Sequence, residues 1–225
     1  MKVAIDGPAG AGKSTIAKAI ARELGFLYID TGAMYRAIAW AAIDSGIDLS
    51  DASALGNLAE RADIELQGPV DGLRVRINGR DVTSEIRMPE VSEAASRVSA
   101  VPAVRRALVA RQQVFGRLGD VVMEGRDIGT VVFPDAEVKV FLDASSEARA
   151  SRRFAEDTEK GRAASFEETL AAIVNRDERD RSRDDSPLAA AADAVYLDST
   201  SHNIEQMTDI VLGIIKERRD VHGNN

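Results

Sequence analysis

The sequence predicts an α/β fold: a parallel sheet with helices on both faces, into which a small antiparallel β meander is inserted. Short apolar runs at Val3–Asp6, Phe26–Asp30, Val121–Glu124 and Val138–Asp143, with Val195–Asp198 as a fifth candidate, are separated by helical stretches. Buried strands that alternate with helices form parallel sheets. The runs end in carboxylates (Asp6, Asp30, Glu124, Asp143, Asp198), and the carboxyl ends of parallel strands are where open α/β sheets bind ligands. Between Ile64 and Arg87 the apolar period drops to two, in Ile64-Glu65-Leu66-Gln67 and Leu73-Arg74-Val75-Arg76-Ile77, with Asn78-Gly79 as a tight turn. That segment is the meander, with one face wet.

The first strand runs into Gly7-Pro8-Ala9-Gly10-Ala11-Gly12-Lys13-Ser14, which fits G-x-x-x-x-G-K-[ST] at every fixed position. A helical stretch, Thr15–Leu24, follows, so the motif sits in the strand–loop–helix context it requires. Glycines let successive backbone N–H groups turn inward around phosphate oxygens, and the helix start adds a positive dipole end. Lys13 would reach the β- and γ-phosphates of a nucleotide and the Ser14 hydroxyl would ligate Mg²⁺. Asp6 and Asp30 are further candidates for the metal shell.

After the second strand comes Thr31-Gly32-Ala33-Met34-Tyr35-Arg36. A helical turn starting at Gly32 would aim the Thr31 hydroxyl and the Arg36 guanidinium at one ligand; the bland reading is a capped helix start with a core tyrosine. After the strand at 121–124 comes Glu124-Gly125-Arg126-Asp127, where Arg126 and Asp127 either bind an anion or pair with each other. Farther on, Arg176, Arg179 and Arg183 (i, i+3, i+7) share one helical stripe, with Asp180 beside it. Stacked like charges repel, so the stripe makes best sense facing an anion; the alternative is a solvated face on which Asp177 and Asp184 supply partners. Arg149, Arg152 and Arg153 repeat the geometry just before a charge-rich, exposed loop around Lys160-Gly161.

Composition narrows the function. At 225 residues the chain suits one domain with smaller flaps, and 44% apolar with 29% charged residues suits a globular fold. Lys+Arg number 29 against 37 Asp+Glu, a net charge of −8, which excludes non-specific binding to a nucleic acid polymer or an acidic membrane. Yet only six of the basic residues are lysine, and arginine's planar fork suits phosphate and carboxylate. The absence of cysteine excludes disulfides and thiol chemistry. No apolar run reaches membrane-spanning length and Met1-Lys2 leads straight into a strand, so the expected location is cytoplasmic. The chain has no Asn-Lys-x-Asp guanine-reading segment, which argues against a GTPase switch. A small-molecule kinase, by contrast, needs a second anion site facing the first. From the residues alone, kinases for other small acceptors and a nucleotide-dependent switch remain alternatives.

Taken in order, the phosphate loop, Asp-Thr-Gly-Ala-Met-Tyr-Arg, Gly-Arg-Asp-Ile-Gly-Thr-Val-Val-Phe-Pro-Asp-Ala and Arg-Asp-x-Arg-Asp-Arg-x-Arg resemble the bacterial cytidylate kinase family, of the nucleoside monophosphate kinase group. The likeness runs from Val3 to about Ile215 and includes the meander. It implies a P-loop NTPase-type sheet and transfer of the ATP γ-phosphoryl to CMP or dCMP with Mg²⁺, by direct in-line attack. By that likeness, Gly7, Pro8, Ala9, Gly10, Ala11, Gly12, Lys13, Ser14 and Thr15 bind ATP. Arg36, Arg126 and Arg183 hold the acceptor phosphate; Thr31, Arg105 and Asp127 read the cytosine edge; Ser96, Arg176 and Asp180 hold the sugar, with Tyr35 in the same pocket. Thr31 stands where some members have serine, and the hydroxyl survives. Lys13, Arg126, Arg152, Arg153 and Arg183 are the implied catalytic residues. The implied layout is a core of 1–30, 97–148 and 166–225, a monophosphate-binding region at 31–96, and a short helical lid at 149–165, in a monomer.

Overall fold

The computed structural model describes residues 1–159, 161 and 165–222. From the amino end, β1 (Lys2–Asp6) passes through the glycine-rich loop into α1 (Lys13–Leu24). Gly25, at φ 69°, ends α1 by turning left-handed and donating its N–H to Ala21 O. β2 (Leu27–Asp30) leads without a linker into α2 (Thr31–Asp44), because the Asp30 carboxylate accepts the Ala33 N–H and caps the helix. α3 (Ala52–Arg61) is capped by Asp51 in the same way. The meander β3 (Ile64–Gln67), β4 (Arg74–Ile77) and β5 (Arg80–Asp81) follows. Asn78 and Gly79 both have positive φ (49° and 78°), as the expected tight turn requires.

Two helices that each begin with proline, α4 (Pro89–Val98) and α5 (Pro102–Phe115), return the chain to the sheet at β6 (Val121–Gly125). A wide π-helical turn at Ile128–Val132, closed by the Phe133 N–H on Ile128 O at 2.7 Å, then precedes β7 (Val138–Asp143). α6 (Ser146–Glu159) and α7 (Phe166–Arg181) come next, the latter opened by a Ser165/Glu168 capping box. β8 (Val195–Asp198) and α8 (Ile204–His222) complete the described chain. Of the expected loop around Lys160-Gly161, Lys160 lies outside the described residues, and Gly161 forms a turn with positive φ.

The five parallel strands run in the order β2-β6-β1-β7-β8, the α/β arrangement the sequence predicts. Alternate residues face opposite sides. Val3, Ile5, Val122, Val138 and Val140 meet Ile16 and Ile20 of α1 and Met207, Val211 and Ile215 of α8. On the other face Ala4, Ile29 and Met123 meet Ile128, Val132 and Phe133. A further apolar cluster lies under α2–α5 and is closed by the meander, with Val75 and Ile77 inward and Arg74 and Arg80 outward. The register sets Asp30 beside Glu124 and Asp6 beside Gly125, so the carboxyl ends of β1, β2 and β6 form one rim.

Candidate active site

The loop after β1 is held open by its glycines. Gly7 has φ 145°, and a Cβ there would fall 1.9 Å from Leu142 O, so any side chain would push β1 off β7. Gly12, at φ 93°, is the N-cap of α1 and places no side chain on the first helical N–H groups. Those donors therefore face the loop unoccupied by the chain's own caps. Lys13 is buried and its Nζ donates to Pro8 O at 2.7 Å, spanning the loop. Burial, then the nearby Arg126 charge, lowers its ammonium from 10.5 to about 7, with Glu124 opposing.

The rim carboxylates divide into separate tasks. Both oxygens of Asp6 accept backbone N–H groups, from Ile128 at 2.8 Å and Gly129 at 2.7 Å. Burial pushes this carboxyl up to about 7 against those two donors. Asp30 caps α2 and pairs with Arg36 at 2.8 Å; burial alone would raise it, but Arg36 and the Ala33 N–H outweigh that and hold it low. Gly32 leaves the space Arg36 folds into, since a Cβ there would meet Nη1 at 2.9 Å. Both metal-shell candidates from the sequence are thus engaged with the chain itself. The carboxylate beside the Ser14 hydroxyl and Lys13 is instead Glu124, buried, accepting from Tyr28 Oη at 2.7 Å and raised first by burial and then by Asp30. A hydroxyl and a carboxylate are the hard oxygen donors Mg²⁺ takes, so this corner fits that ion. Sequence reasoning noted Glu124 only as a strand end.

The remaining sequence candidates gather on the adjoining side. Thr31 is buried and its hydroxyl donates to Glu124 O at 2.7 Å. Arg105, also buried, bonds Asp127, reaches Ser99 O at 3.2 Å and lies over the Tyr35 ring at 5.6 Å. Arg126 Nε donates to Asp180 Oδ2 at 3.0 Å, and Arg183 donates to Asp180 O at 3.3 Å and Ser99 O at 3.4 Å. Burial lowers Arg176 to about 10, with Arg126 the next cause and Asp180 opposing. Five buried polar atoms here have no hydrogen-bond partner among the described residues: Tyr35 Oη, Ser96 Oγ, Arg105 Nε, Arg176 Nε and Arg183 Nη2. Unpartnered buried donors are costly, and a cluster of them marks where a polar ligand would be bound.

Arg176 and Arg183 both approach Asp180, but not as one helical stripe: Arg179 is exposed and donates to Asn175 O. Ile173, Asp177 and Asp180 form the buried face of α7, and Arg183 lies beyond the helix end. The α6 arginines differ from the expected anion-facing row. Arg149 is buried against Asp177. Arg152 donates to Ser199 O at 2.6 Å and Ser199 Oγ at 3.1 Å, and Arg153 pairs with Asp157 one turn along its own helix at 3.0 Å. The Arg149–Asp177 pair and Ser199, whose hydroxyl donates to Ala11 O at 3.1 Å, had no signal in the sequence pattern. Among the described residues, no helix is long and apolar enough to cross a membrane.

The family model described as cytidylate kinase matches residues 3–217. A cytidylate kinase from Solibacter usitatus (strain Ellin6076) is 53% identical over 218 residues, covering 96% of this chain and 92% of that one. Those from Shouchella clausii (strain KSM-K16) and Bacillus subtilis (strain 168) are 51% and 47% identical, each aligned over 96% or more of both chains.

Proposed function

The chain belongs to the cytidylate kinase family, the nucleoside monophosphate kinases that its sequence resembles, and from that premise we propose that it transfers the γ-phosphoryl of ATP to CMP and dCMP by direct in-line attack with Mg²⁺. The observation that carries the reading is the junction of two cationic sites. Arg126 joins the two walls: it shares Asp180 with Arg176 of α7, at 3.0 Å and 4.0 Å, and its charge acts on Lys13 of the phosphate loop. Donor and acceptor phosphates held by those walls would meet at Arg126, where repulsion among the cations gives way to attraction for the transferring group.

Each residue then has a task. Backbone N–H groups of residues 7–15 cradle the donor phosphates while Lys13 neutralises them. Ser14 and Glu124 would hold Mg²⁺, which when bound spreads and neutralises charge on the donor phosphates. Arg36, Arg126 and Arg183 take the acceptor phosphate, and Ser96, Arg176 and Asp180 its sugar. Thr31, Arg105 and Asp127, beside Tyr35, take the base. Thr31 spends its proton on Glu124 O, so its oxygen can only accept from a ligand, which suits the exocyclic amine of cytosine and not the O4 of uracil. The attacking oxygen is already anionic, so no general base is required. Residues 31–96 would move as the acceptor flap. The lid at 149–165, of which 160 and 162–164 lie outside the described residues, would hinge where Arg149 anchors it and close by Arg152 and Arg153 leaving Ser199 and Asp157. Both would exclude water from the transfer.

A coupled assay with ATP and a panel of CMP, dCMP, UMP, AMP, GMP and shikimate tests the reading. CMP and dCMP should be turned over best; preference for any other acceptor overturns it.

A further inference from the structure

Arg149 uses all three nitrogens of its guanidinium within the chain: Nε donates to Ala144 O at 2.9 Å, Nη1 to Ala9 O at 3.1 Å, and Nη2 to Asp177 Oδ2 at 2.6 Å. Arginine and aspartate are both buried, and they join α6, α7 and the phosphate loop at one point. The contact is close. A Cβ on Gly10 would lie 3.1 Å from Arg149 Cβ, so the base of α6 presses on the loop directly.

We propose that Arg149 and Asp177 are positioning residues for the donor phosphates, holding the Ala9 carbonyl toward α6 so that the Gly10 N–H faces the opposite way, into the cradle. The lever is the planar trans peptide, in which C=O of one residue and N–H of the next point in opposite directions. Fixing one therefore fixes the other. Asp177 supplies the rigidity, since the guanidinium it holds can neither rotate nor turn to the ligand. Ser199 acts similarly one peptide pair on, donating to Ala11 O and so orienting the Gly12 N–H. A pure stability role suits the pair poorly: buried ion pairs add little net stability, and Asp177 Oδ1 is buried without any partner.

The inference rests on the loop binding ATP, and the test separates the two. Wild type, Asp177→Asn and Arg149→Lys are compared for KM of ATP, KM of CMP and thermal midpoint. Asp177→Asn keeps the shape but not the charge, and Arg149→Lys keeps the charge but only one donor group. Expected is a rise in KM for ATP of about tenfold in either variant, with KM for CMP within about twofold of wild type. If KM for ATP is unchanged, or both KM values rise together, the positioning role is wrong. It also falls if neither variant folds, since the pair is then a stability element. A wild type that does not bind ATP at the loop overturns the underlying reading instead.

Discussion

Thr31 and Glu124 are joined across neighbouring strands, the Thr31 hydroxyl donating to the Glu124 carbonyl at 2.7 Å where β2 and β6 end. This bond fixes the polarity of the Thr31 oxygen. Replacing Thr31 with Val removes the acceptor proposed to face the base while keeping the volume. The cost to CMP should be about 1–3 kcal/mol, roughly 5- to 150-fold in kcat/KM. UMP, which presents an acceptor, should lose far less, and Thr31→Ser should restore CMP. Parallel kcat/KM measurements check this; an unchanged CMP:UMP ratio contradicts it.

Lys13→Met should lower kcat by orders of magnitude with the fold intact, and also raise the thermal midpoint of the free protein near neutral pH. The sign follows from the lysine's value, lowered from 10.5 to about 7 by burial and Arg126. Between those two pH values the unfolded chain holds a proton that the folded chain has released, so this group makes wild-type stability rise with pH. Below about 7 both states are charged and the folded state carries the full penalty. The advantage of the Met variant should therefore be largest at or below neutrality and shrink toward pH 10.5, as calorimetry across that range would read.

Asp180 has the opposite dependence. Burial pushes its carboxyl up, but Arg126, Arg176 and Arg183 outweigh it and hold it below the ordinary 3.8. Its stabilisation is fully present above that value and lost as pH falls through the folded-state value beneath it. Asp180→Asn leaves those arginines without their shared counter-charge, at a cost of about 3–5 kcal/mol near neutral pH. Urea unfolding should show a deficit that narrows in acid, and kcat/KM for CMP should fall more than the KM for ATP rises.

The sheet was legible because its strands are buried on both faces and announce themselves as apolar runs, and the phosphate loop because its geometry demands glycines at fixed spacing. The half-buried edge strand β8 was the weakest of the five signals for the same reason. The helical period puts Arg183 on a stripe with Arg179, yet α7 ends at Arg181 and it is the chain beyond that carries Arg183 back to Asp180. Helical period cannot foresee where a helix stops. Nor can any local pattern pair Arg149 with Asp177, whose partnership exists only once α6 and α7 pack.

Gly7→Ala should impair the loop through sterics alone. The added methyl would sit 1.9 Å from Leu142 O at a φ of 145°, so β1 and β7 must separate locally. A fall in thermal midpoint together with a KM for ATP raised about tenfold or more is expected. Binding of CMP, measured without ATP by calorimetry, should be nearly preserved. Equal loss of both ligands would mean that the strain spreads through the whole sheet.

Tyr28→Phe tests the proposed Mg²⁺ corner. The Tyr28 hydroxyl donates to Glu124 Oε1 at 2.7 Å, and both groups are buried. Burial followed by the Asp30 charge raises Glu124, while Lys13, Ser14 and Tyr28 oppose that rise. Deleting the phenol oxygen removes one of these opposing donors, so the carboxyl shifts further upward and loses its fixed orientation. A ligand that is less ionised and less well aimed binds a hard cation more weakly. Half-saturation by Mg²⁺ should rise about tenfold, and more steeply as pH is lowered, since the carboxyl protonates first in the variant. At saturating Mg²⁺ kcat should return close to wild type, and chelation by EDTA should abolish turnover in both. Should kcat stay low at every metal concentration, Tyr28 acts through the packing of α1 on the sheet and Glu124 is not a metal-holding carboxylate.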